Sequence, residues 1–359
     1  MEHRPTLAGI AHIAVSPVMA ALGAALLFGG STPFAKQALG DVPPALMAGL
    51  LFLGSGIGLS AVLLIRDRGF GSFHLPKKQF FWYLLSIGFG GVLAPVLLME
   101  GLARTGAAAA SMMLNTEVVF TVLLAWFAFG ENAGRQVMLG MALIVAGGVA
   151  LAWPTGKGGW EGVEGALAIA AACLCWAIDN NLTRKVSEAD ALFVAGGKGL
   201  AAGAINTALA MMGGAALPMP KAIGFAMLIG FFGYGVSLAL MVIAFRGLGA
   251  ARTGAYFATA PFIGAALSIA AFGDTVHGGF WIASALMGTG VWFHLTELHG
   301  HEHHHAPLEH THRHQHDRHH DHPHPFPWDG KEPHTHPHVH DEITHAHPHF
   351  PDIHHRHPH

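Results

Sequence analysis

The tetrapeptide Ala103-Arg104-Thr105-Gly106 recurs letter for letter as Ala251-Arg252-Thr253-Gly254. Each copy follows a Gly-Leu pair and precedes an apolar stretch that ends in Phe-Gly-acid, at Phe129-Gly130-Glu131 and at Phe272-Gly273-Asp274. The same landmarks in the same order indicate that the chain contains two copies of one structural unit.

The chain around these copies has the composition of a membrane protein. Only 11% of its residues are Asp, Glu, Lys or Arg and 52% are hydrophobic, which is too apolar for an ordinary soluble domain. An apolar helix of about 20 residues crosses ~30 Å of hydrocarbon. Ten such segments are predicted near 17–36, 43–65, 80–99, 105–129, 135–153, 165–182, 191–212, 222–243, 251–272 and 279–298. We interpret the first as a retained helix, because it is long and nine further spans follow it.

Five of these spans fall in each copy of the unit. A short N-terminus, 1–16, precedes the first copy at 17–153, and a linker at 154–164 leads to the second copy at 165–298. Because five is odd, the second copy enters the membrane upside down, which is the construction of many secondary transporters. We therefore predict an all-α membrane protein of ten transmembrane helices in two inverted five-helix repeats.

The basic residues of the loops predict the orientation. If the N-terminus is cytoplasmic, ten Lys and Arg residues lie on the inner side and four on the outer side, as the positive-inside rule requires. The prediction is a multi-pass protein of the inner (plasma) membrane, embedded in the lipid bilayer with both termini cytoplasmic. Such a bundle is compatible with a monomer or a homodimer.

The segment 299–359 holds 24 of the 29 histidines. Its prolines and its lack of apolar periodicity predict a disordered tail, and neutral imidazole is a common ligand of Zn, Ni, Co and Cu. Nine carboxylates against four basic residues favour divalent cations over nucleic acid. The alternatives are a purification tag, which the interleaved Pro, Asp and Glu argue against, or an unselected low-complexity extension. The candidate metal ligands are His301, His303, His304, His305, His310, His312, His314, His316, His334, His336, His338, His340, His354, His355 and His357.

Glu117 is the first candidate for substrate binding or proton coupling. It lies in the middle of the fourth span, where a carboxylate facing lipid is very costly, so it must face the bundle interior, form a pair or be protonated. Asn115 adds a second polar group nearby. The alternative is a purely structural hydrogen bond between helices.

Four further polar residues are candidates for the same roles. Asp179 and Asn180 end the sixth span and either recognise substrate or only terminate the helix. Lys198 and Lys36 either meet substrate or snorkel to the membrane surface.

Other polar residues have structural interpretations. Glu131 and Asp274 each precede a helix, whose N-terminal dipole an acid complements. Cys173 and Cys175 diverge by about 200° around a helix, so they are interpreted as small packing residues rather than as one metal site.

The repeated motifs resemble those of the EamA family in the drug/metabolite transporter superfamily. The similarity covers roughly 17–298 and rests on Phe-Gly-Gly-Ser-Thr-Pro-Phe-Ala-Lys at 28–36, on the Ala-Arg-Thr-Gly joint and on the Phe-Gly-Glu ending. The family often has Glu-Pro in the fourth helix, whereas this chain has Glu117-Val118 there and Ala260-Pro261 in the second half. The resemblance implies a ten-helix bundle with a central cavity that exports amino acids, nucleosides, drugs or other metabolites.

No phosphate-binding G-x-x-x-x-G-K-[ST] loop and no hydrolase signature occurs in the sequence, so we expect gradient-driven transport rather than an enzyme, with no required cofactor. The prediction is export of a small solute, with a tail that binds a transition metal. Two alternatives stay open: a Ni, Co or Zn efflux transporter fed by the tail, and a membrane-anchored metal buffer or sensor that does not transport.

Overall fold

The computed structural model describes residues 16–67, 77–129, 134–153, 159–184, 186, 190–296, 299–305, 308–314, 334–340 and 343–349. The chain divides into two compact units, Met1–Glu297 and Leu298–His359. The described part of the first unit contains helices and no strand, and that of the second contains strands.

The helical unit alternates long helices with short joints. Its elements are α1 (Pro17–Ala38), α2 (Pro44–Asp67), α3 (Lys77–Ser86), the π-helix π1 (Ile87–Leu93), α4 (Ala94–Arg104), α5 (Ala107–Met113), α6 (Thr116–Phe129), α7 (Arg135–Ala152), α8 (Gly159–Arg184), α9 (Ala191–Met212), α10 (Pro220–Gly230), the π-helix π2 (Phe231–Val236), α11 (Ser237–Phe257), α12 (Ala260–Phe272) and α13 (Gly278–Leu295).

Eight of the described helical stretches are long and apolar enough to cross a membrane. They are Pro17–Ala38, Pro44–Arg66, Gln79–Arg104, Ala107–Leu124, Arg135–Ala152, Gly162–Thr183, Leu192–Met212 and Pro220–Ala244. A shorter apolar helix follows at Ala260–Phe272. The predicted class of an all-helical, multi-pass membrane protein is therefore confirmed for this unit.

The predicted start of the ninth span is wrong. The sequence analysis began that span at residue 251, whereas α11 runs on to Phe257 and α12 begins at Ala260. Pro261 occupies the first turn of α12, where its missing N–H costs no hydrogen bond. The second Ala-Arg-Thr-Gly copy therefore lies inside a helix.

The helices pack in pairs that cross between the two halves of the chain. Helix α1 packs against α11 and α12, α8 packs against α4 and α6, α2 packs against α9, and α7 packs against α13. Small residues allow the close approach: a Cβ added to Gly199 would lie 2.7 Å from the Gly56 nitrogen, and one added to Gly290 would lie 2.6 Å from the Gly140 oxygen.

The two π-helices occupy related places. Each sits without interruption inside a long helix, π1 between α3 and α4 and π2 between α10 and α11; π1 contains three glycines and π2 contains two. A π-turn takes carbonyls out of the regular ladder and is frequent at functional sites.

The tail differs from the prediction of disorder in four seven-residue segments. Strand β1 (His299–His305) pairs antiparallel with β4 (Ile343–His349), and β2 (Leu308–His314) pairs antiparallel with β3 (His334–His340). His-x-His has the two-residue period of a strand. Pro337 and Pro348 are tolerated because, among the described residues, each strand pairs with one other strand and so leaves an edge that needs no N–H donor.

Candidate functional site

The fourth span is broken in its middle. Helix α5 ends at Met113 and α6 begins at Thr116, with a turn between them at Leu114 and Asn115. The Asn115 amide donates to the Met112 carbonyl at 2.9 Å and the Thr116 hydroxyl donates to the Met113 carbonyl at 2.7 Å. Such local side-chain bonds compete with the helical ladder, which explains why the break lies here.

Glu117 lies in the first turn of α6, directly after the break. Its side chain is half-buried, and its Oε1 accepts a hydrogen bond of 2.8 Å from Asn180 Nδ2 on α8. A carboxylate is favoured near a helix N-terminus. The contact therefore joins a broken helix of the first half to a helix of the second half.

One face of α8 lines this break. The Cys173 sulfur lies 3.9 Å from the carbonyl oxygens of both Met113 and Leu114, and Asn180 reaches Glu117 two turns further along. Trp176 lies between them on the same face, since residues three and four apart are neighbours on a helix.

An aromatic cluster adjoins Trp176. The ring centroid of Phe28 lies 6.2 Å from that of Trp176, 5.8 Å from that of Tyr234 and 5.3 Å from that of Phe257. All four residues are half-buried.

Asp179 and Lys198 form a buried ion pair beside this region. Lys198 Nζ donates to Asp179 Oδ2 and, at 3.1 Å, to the Ser86 hydroxyl. Asp179 Oδ1 accepts from Ser86 at 2.6 Å and from Thr183 at 3.1 Å. Asp179 is only 6% exposed, so its charge is satisfied by these partners rather than by water.

Helices α8 and α9 also hold the π-helix π1. The Trp176 indole N–H donates to the Gly90 carbonyl at 3.2 Å, and Asn206 Nδ2 donates to the Gly91 carbonyl at 3.1 Å. A Cβ at Gly90 would overlap the Asp179 carboxylate. Glycine at this position therefore permits the ion pair to sit against the π-helix.

The joint between α4 and α5 is capped by two charged side chains. Lys36 Nζ donates to the carbonyl of Leu102 at 2.6 Å and to that of Ala103 at 3.2 Å, as basic residues do at helix C-termini. Asp274 Oδ2 accepts from the Ala108 amide of α5 at 2.8 Å, as acids do at helix N-termini. These two caps, which we call the latch, come from opposite halves of the chain.

Comparison with known proteins assigns the family. The model of the EamA-like transporter family matches residues 15–153 and 163–296. The chain belongs to the EamA-like transporter family. This confirms the resemblance inferred from the repeated motifs.

Relatives of this EamA-like transporter are themselves named as transporters. An uncharacterized transporter of Methanothermobacter thermautotrophicus is 27% identical over 260 residues, which are 67% of this chain and 75% of that protein. A probable amino-acid metabolite efflux pump of Salmonella typhimurium is 27% identical over 153 residues, 43% of this chain and 48% of that protein. A protein of known crystal structure, 24% identical, matches with a TM-score of 0.59 over 77% of this chain and 95% of its own, and shows the same fold.

The structure places the predicted site residues of this EamA-like transporter in three groups. Glu117 contacts Asn180, Asp179 contacts Lys198, and Lys36 caps α4. Asn115 is 1% exposed, and its Oδ1 has no hydrogen-bond partner among the described residues. The snorkelling interpretation of Lys198 is wrong, because its ammonium is directed to a buried acid.

Two structural predictions have mixed outcomes. Asp274 does complement a helix N-terminus, but that helix is α5 of the other half rather than the helix that follows it. Glu131 lies outside the described residues. Cys173 is buried and Cys175 half-buried, and both are free, as their interpretation as packing residues predicted.

Most of the predicted tail ligands lie in the four strands. His316, His354, His355 and His357 fall outside the described residues. Within the described part of the chain, no group of three or more His, Cys, Asp or Glu side chains is arranged to hold a metal ion. Metal binding by the tail therefore stays a prediction.

Sequence reasoning missed Ser86 and Thr183, which complete the ion-pair network, and the aromatic cluster. The sequence analysis included Phe28 only as part of the stretch 28–36 that resembles the family, and it did not single out Trp176, Tyr234 or Phe257. Hydroxyls and aromatic rings are common in membrane helices, so their type alone does not single them out.

Proposed function

We propose that this protein is a gradient-driven secondary transporter that exports a small organic solute by alternating access between two inverted five-helix halves. The observation that carries the proposal is the Glu117–Asn180 contact at the break between α5 and α6. Broken helices near the middle of the membrane form substrate and coupling-ion sites in inverted-repeat transporters. An ionisable group there is a functional group by default.

Several features support the inverted repeat. The family model matches the chain twice, and the described residues of each half include one π-helix. Helices α11 and α12 are separated by a break at Ala258 and Thr259, much as α5 and α6 are at Leu114 and Asn115. The contacts between helices also follow the repeat. Helix α1 of the first half packs against α11 and α12 of the second half, and α8 of the second half packs against α4 and α6 of the first half.

The two Ala-Arg-Thr-Gly copies differ in conformation. The first lies at the latched joint between α4 and α5, whereas the second lies within the continuous helix α11. Inversion assigns the two copies to opposite faces of the membrane. This difference supports a transporter in a state that is asymmetric across the membrane, with a broken and capped helix at one copy and a continuous helix at the other.

The orientation and the energy source belong to the same proposal. Ten basic loop residues against four favour a cytoplasmic location for both termini, and export would then run from the tail side outward. The absence of a nucleotide-binding loop in the sequence supports a proton or solute gradient as the driving force.

A second candidate links transport to a transition metal. The strand register aligns His301 with His347, His303 with His345, His310 with His338 and His312 with His336. Residues two apart share a face of a strand, so histidines of both partners occupy one face of each sheet. This arrangement favours capture of a metal ion by the tail, which would either feed the transporter or act as a buffer or sensor.

Flux in inverted vesicles tests both candidates. Full-length protein is compared with Glu117→Gln, with the exposed-pair control Glu100→Gln, and with a chain stopped after Glu297, using labelled amino-acid metabolites, zinc, nickel and cobalt. We expect metabolite flux to fall about tenfold or more in Glu117→Gln, which corresponds to a loss of ~1.4 kcal/mol or more, and to survive both Glu100→Gln and tail deletion.

Two other results would change the assignment. Equal metabolite flux in the full-length protein and in Glu117→Gln contradicts the proposed site. Metal accumulation that requires both Glu117 and the tail makes the second candidate the function, whereas metal resistance that needs only the tail makes the protein a buffer.

A further inference from the structure

Two acceptor oxygens at the broken fourth span have no hydrogen-bond donor within the described residues. Within the described residues, Glu117 accepts through Oε1 from the neutral amide of Asn180, and its Oε2 has no hydrogen bond. Asn115 Oδ1 is buried without a partner, whereas Asn180 is exposed. A buried or half-buried acceptor without a donor is unfavourable, so the site is suited to a ligand that brings several N–H donors.

Three basic side chains of the described helices have partners other than Glu117. Lys198 pairs with Asp179, Lys36 caps the α4 carbonyls, and Arg104 pairs with Glu100 at 3.0 Å. In the described part of the helical unit, the Glu117 charge is therefore left without a cationic partner, while the neighbouring Asp179 charge is matched.

Aromatic side chains lie one helical turn from Asn180, the hydrogen-bond partner of Glu117. Trp176 lies one helical turn before Asn180 on α8, and its ring is held by the bond from its indole N–H to Gly90. Phe28 joins Trp176 to Tyr234 and Phe257 through centroid distances of 5.3 to 6.2 Å. Ring faces attract a cation and suit an apolar body, and they offer no positive charge to an anion.

We propose that Glu117, Asn180 and Asn115, with the rings of Phe28, Trp176, Tyr234 and Phe257, form a binding site for an organic ammonium ion. The ligand class is a primary amine with an aromatic or branched apolar body and without a free carboxylate. The ammonium donates to the unsatisfied oxygens, and the body lies against the rings. This inference rests on the proposed transport site and names the cargo class of that site.

The amine class is distinct from that of amino acids. A zwitterion brings a carboxylate as well, and a buried carboxylate needs a cation or several N–H donors. Asn180 and Asn115 each use one amide N–H in a hydrogen bond, and the described groups of the site include no cation to meet a second carboxylate. The site therefore binds an amine in preference to the matching amino acid, because burying the amino acid's carboxylate there without a cationic partner costs free energy.

Equilibrium binding to the purified full-length protein tests the proposal with four probes of one shape: 2-phenylethylamine, 2-phenylethanol, phenylalanine and 3-phenylpropionate. We expect binding of the amine to exceed that of the other three by about tenfold or more, which corresponds to ~1.4 kcal/mol. Glu117→Gln and Phe28→Leu should each weaken amine binding several-fold, and Glu100→Gln should not.

The contrary outcomes are equally specific. Phenylalanine or 3-phenylpropionate bound as tightly as the amine overturns the proposal, as does amine binding that is unchanged in Glu117→Gln protein with a wild-type elution profile. Glu117-dependent flux of phenylalanine without flux of the amine leaves the transport function standing and sinks the amine site. Glu117-dependent amine binding without flux of any cargo supports the amine site and contradicts transport.

Discussion

At the residue scale, Asp179 shows how a charge is kept inside a membrane helix. Asp179 pairs with Lys198 and accepts hydrogen bonds from Ser86 and Thr183. Removing one partner of a buried ion pair costs several kcal/mol of stability. The arrangement also needs Gly90, because the π-helix passes directly against the carboxylate. A methyl group is enough to disturb it.

Gly90→Ala tests this packing, with Gly88→Ala as the matched control in the same π-helix. A Cβ at Gly90 would overlap Asp179, whereas a Cβ at Gly88 meets nothing within 4 Å. Overpacking costs ~1–3 kcal/mol, so we expect a lower midpoint of thermal unfolding in detergent for Gly90→Ala and no loss for Gly88→Ala. Equal midpoints for the two variants would show that the ion pair does not constrain this glycine.

At the element scale, identical sequence has adopted two structures. The first Ala-Arg-Thr-Gly copy ends α4 and opens a joint, and the second continues α11. Ala and Arg favour a helix in either place, so local propensity does not explain the difference. Lys36 and Asp274 do, since they supply the hydrogen bonds that a broken helix otherwise lacks.

Removing the latch should loosen the α4–α5 joint. In protein whose two native cysteines are replaced, Thr105→Cys provides a half-buried reporter at the joint. Hydrogen bonds to charged groups contribute ~1.5–3 kcal/mol, so Lys36→Met is expected to raise the rate of maleimide labelling by about tenfold. Lys221→Met, at an exposed lysine at the start of α10, is the control. An unchanged rate of maleimide labelling in Lys36→Met would mean that the hydrogen bonds of Lys36 do not stabilise the α4–α5 joint.

At the scale of the whole molecule, the chain joins a family-type helical unit to a histidine-rich unit. The family match ends at residue 296, and the strands of the tail begin at His299. The tail holds 24 of the 29 histidines of the chain. Metal binding by the tail would therefore depend on the protonation state of its imidazoles.

Acidification should release metal from the tail. An imidazole with the ordinary pKa of ~6.5 is mostly neutral at pH ~7.5 and mostly protonated at pH ~5.5, so affinity should fall about tenfold per ligating histidine. Zinc titration of the full-length protein at the two pH values measures this, with the chain stopped after Glu297 as the control. Equal affinity at both pH values, or equal binding by the shortened chain, contradicts the tail as the ligand.

The amino-acid sequence by itself determined the membrane class and the family and singled out Glu117 as a candidate site residue, because apolar length, repeated landmarks and an acid in the middle of a span are all local features. Only the tertiary structure decided the partners of these residues. Asn180 meets Glu117, Lys198 meets Asp179, and Asp274 meets α5 across separations of 63, 19 and 166 residues. Helices in lipid are apolar on every face, so their periodicity does not reveal which faces pack together. The choice between a broken and a continuous Ala-Arg-Thr-Gly segment likewise depends on caps that distant helices bring to it.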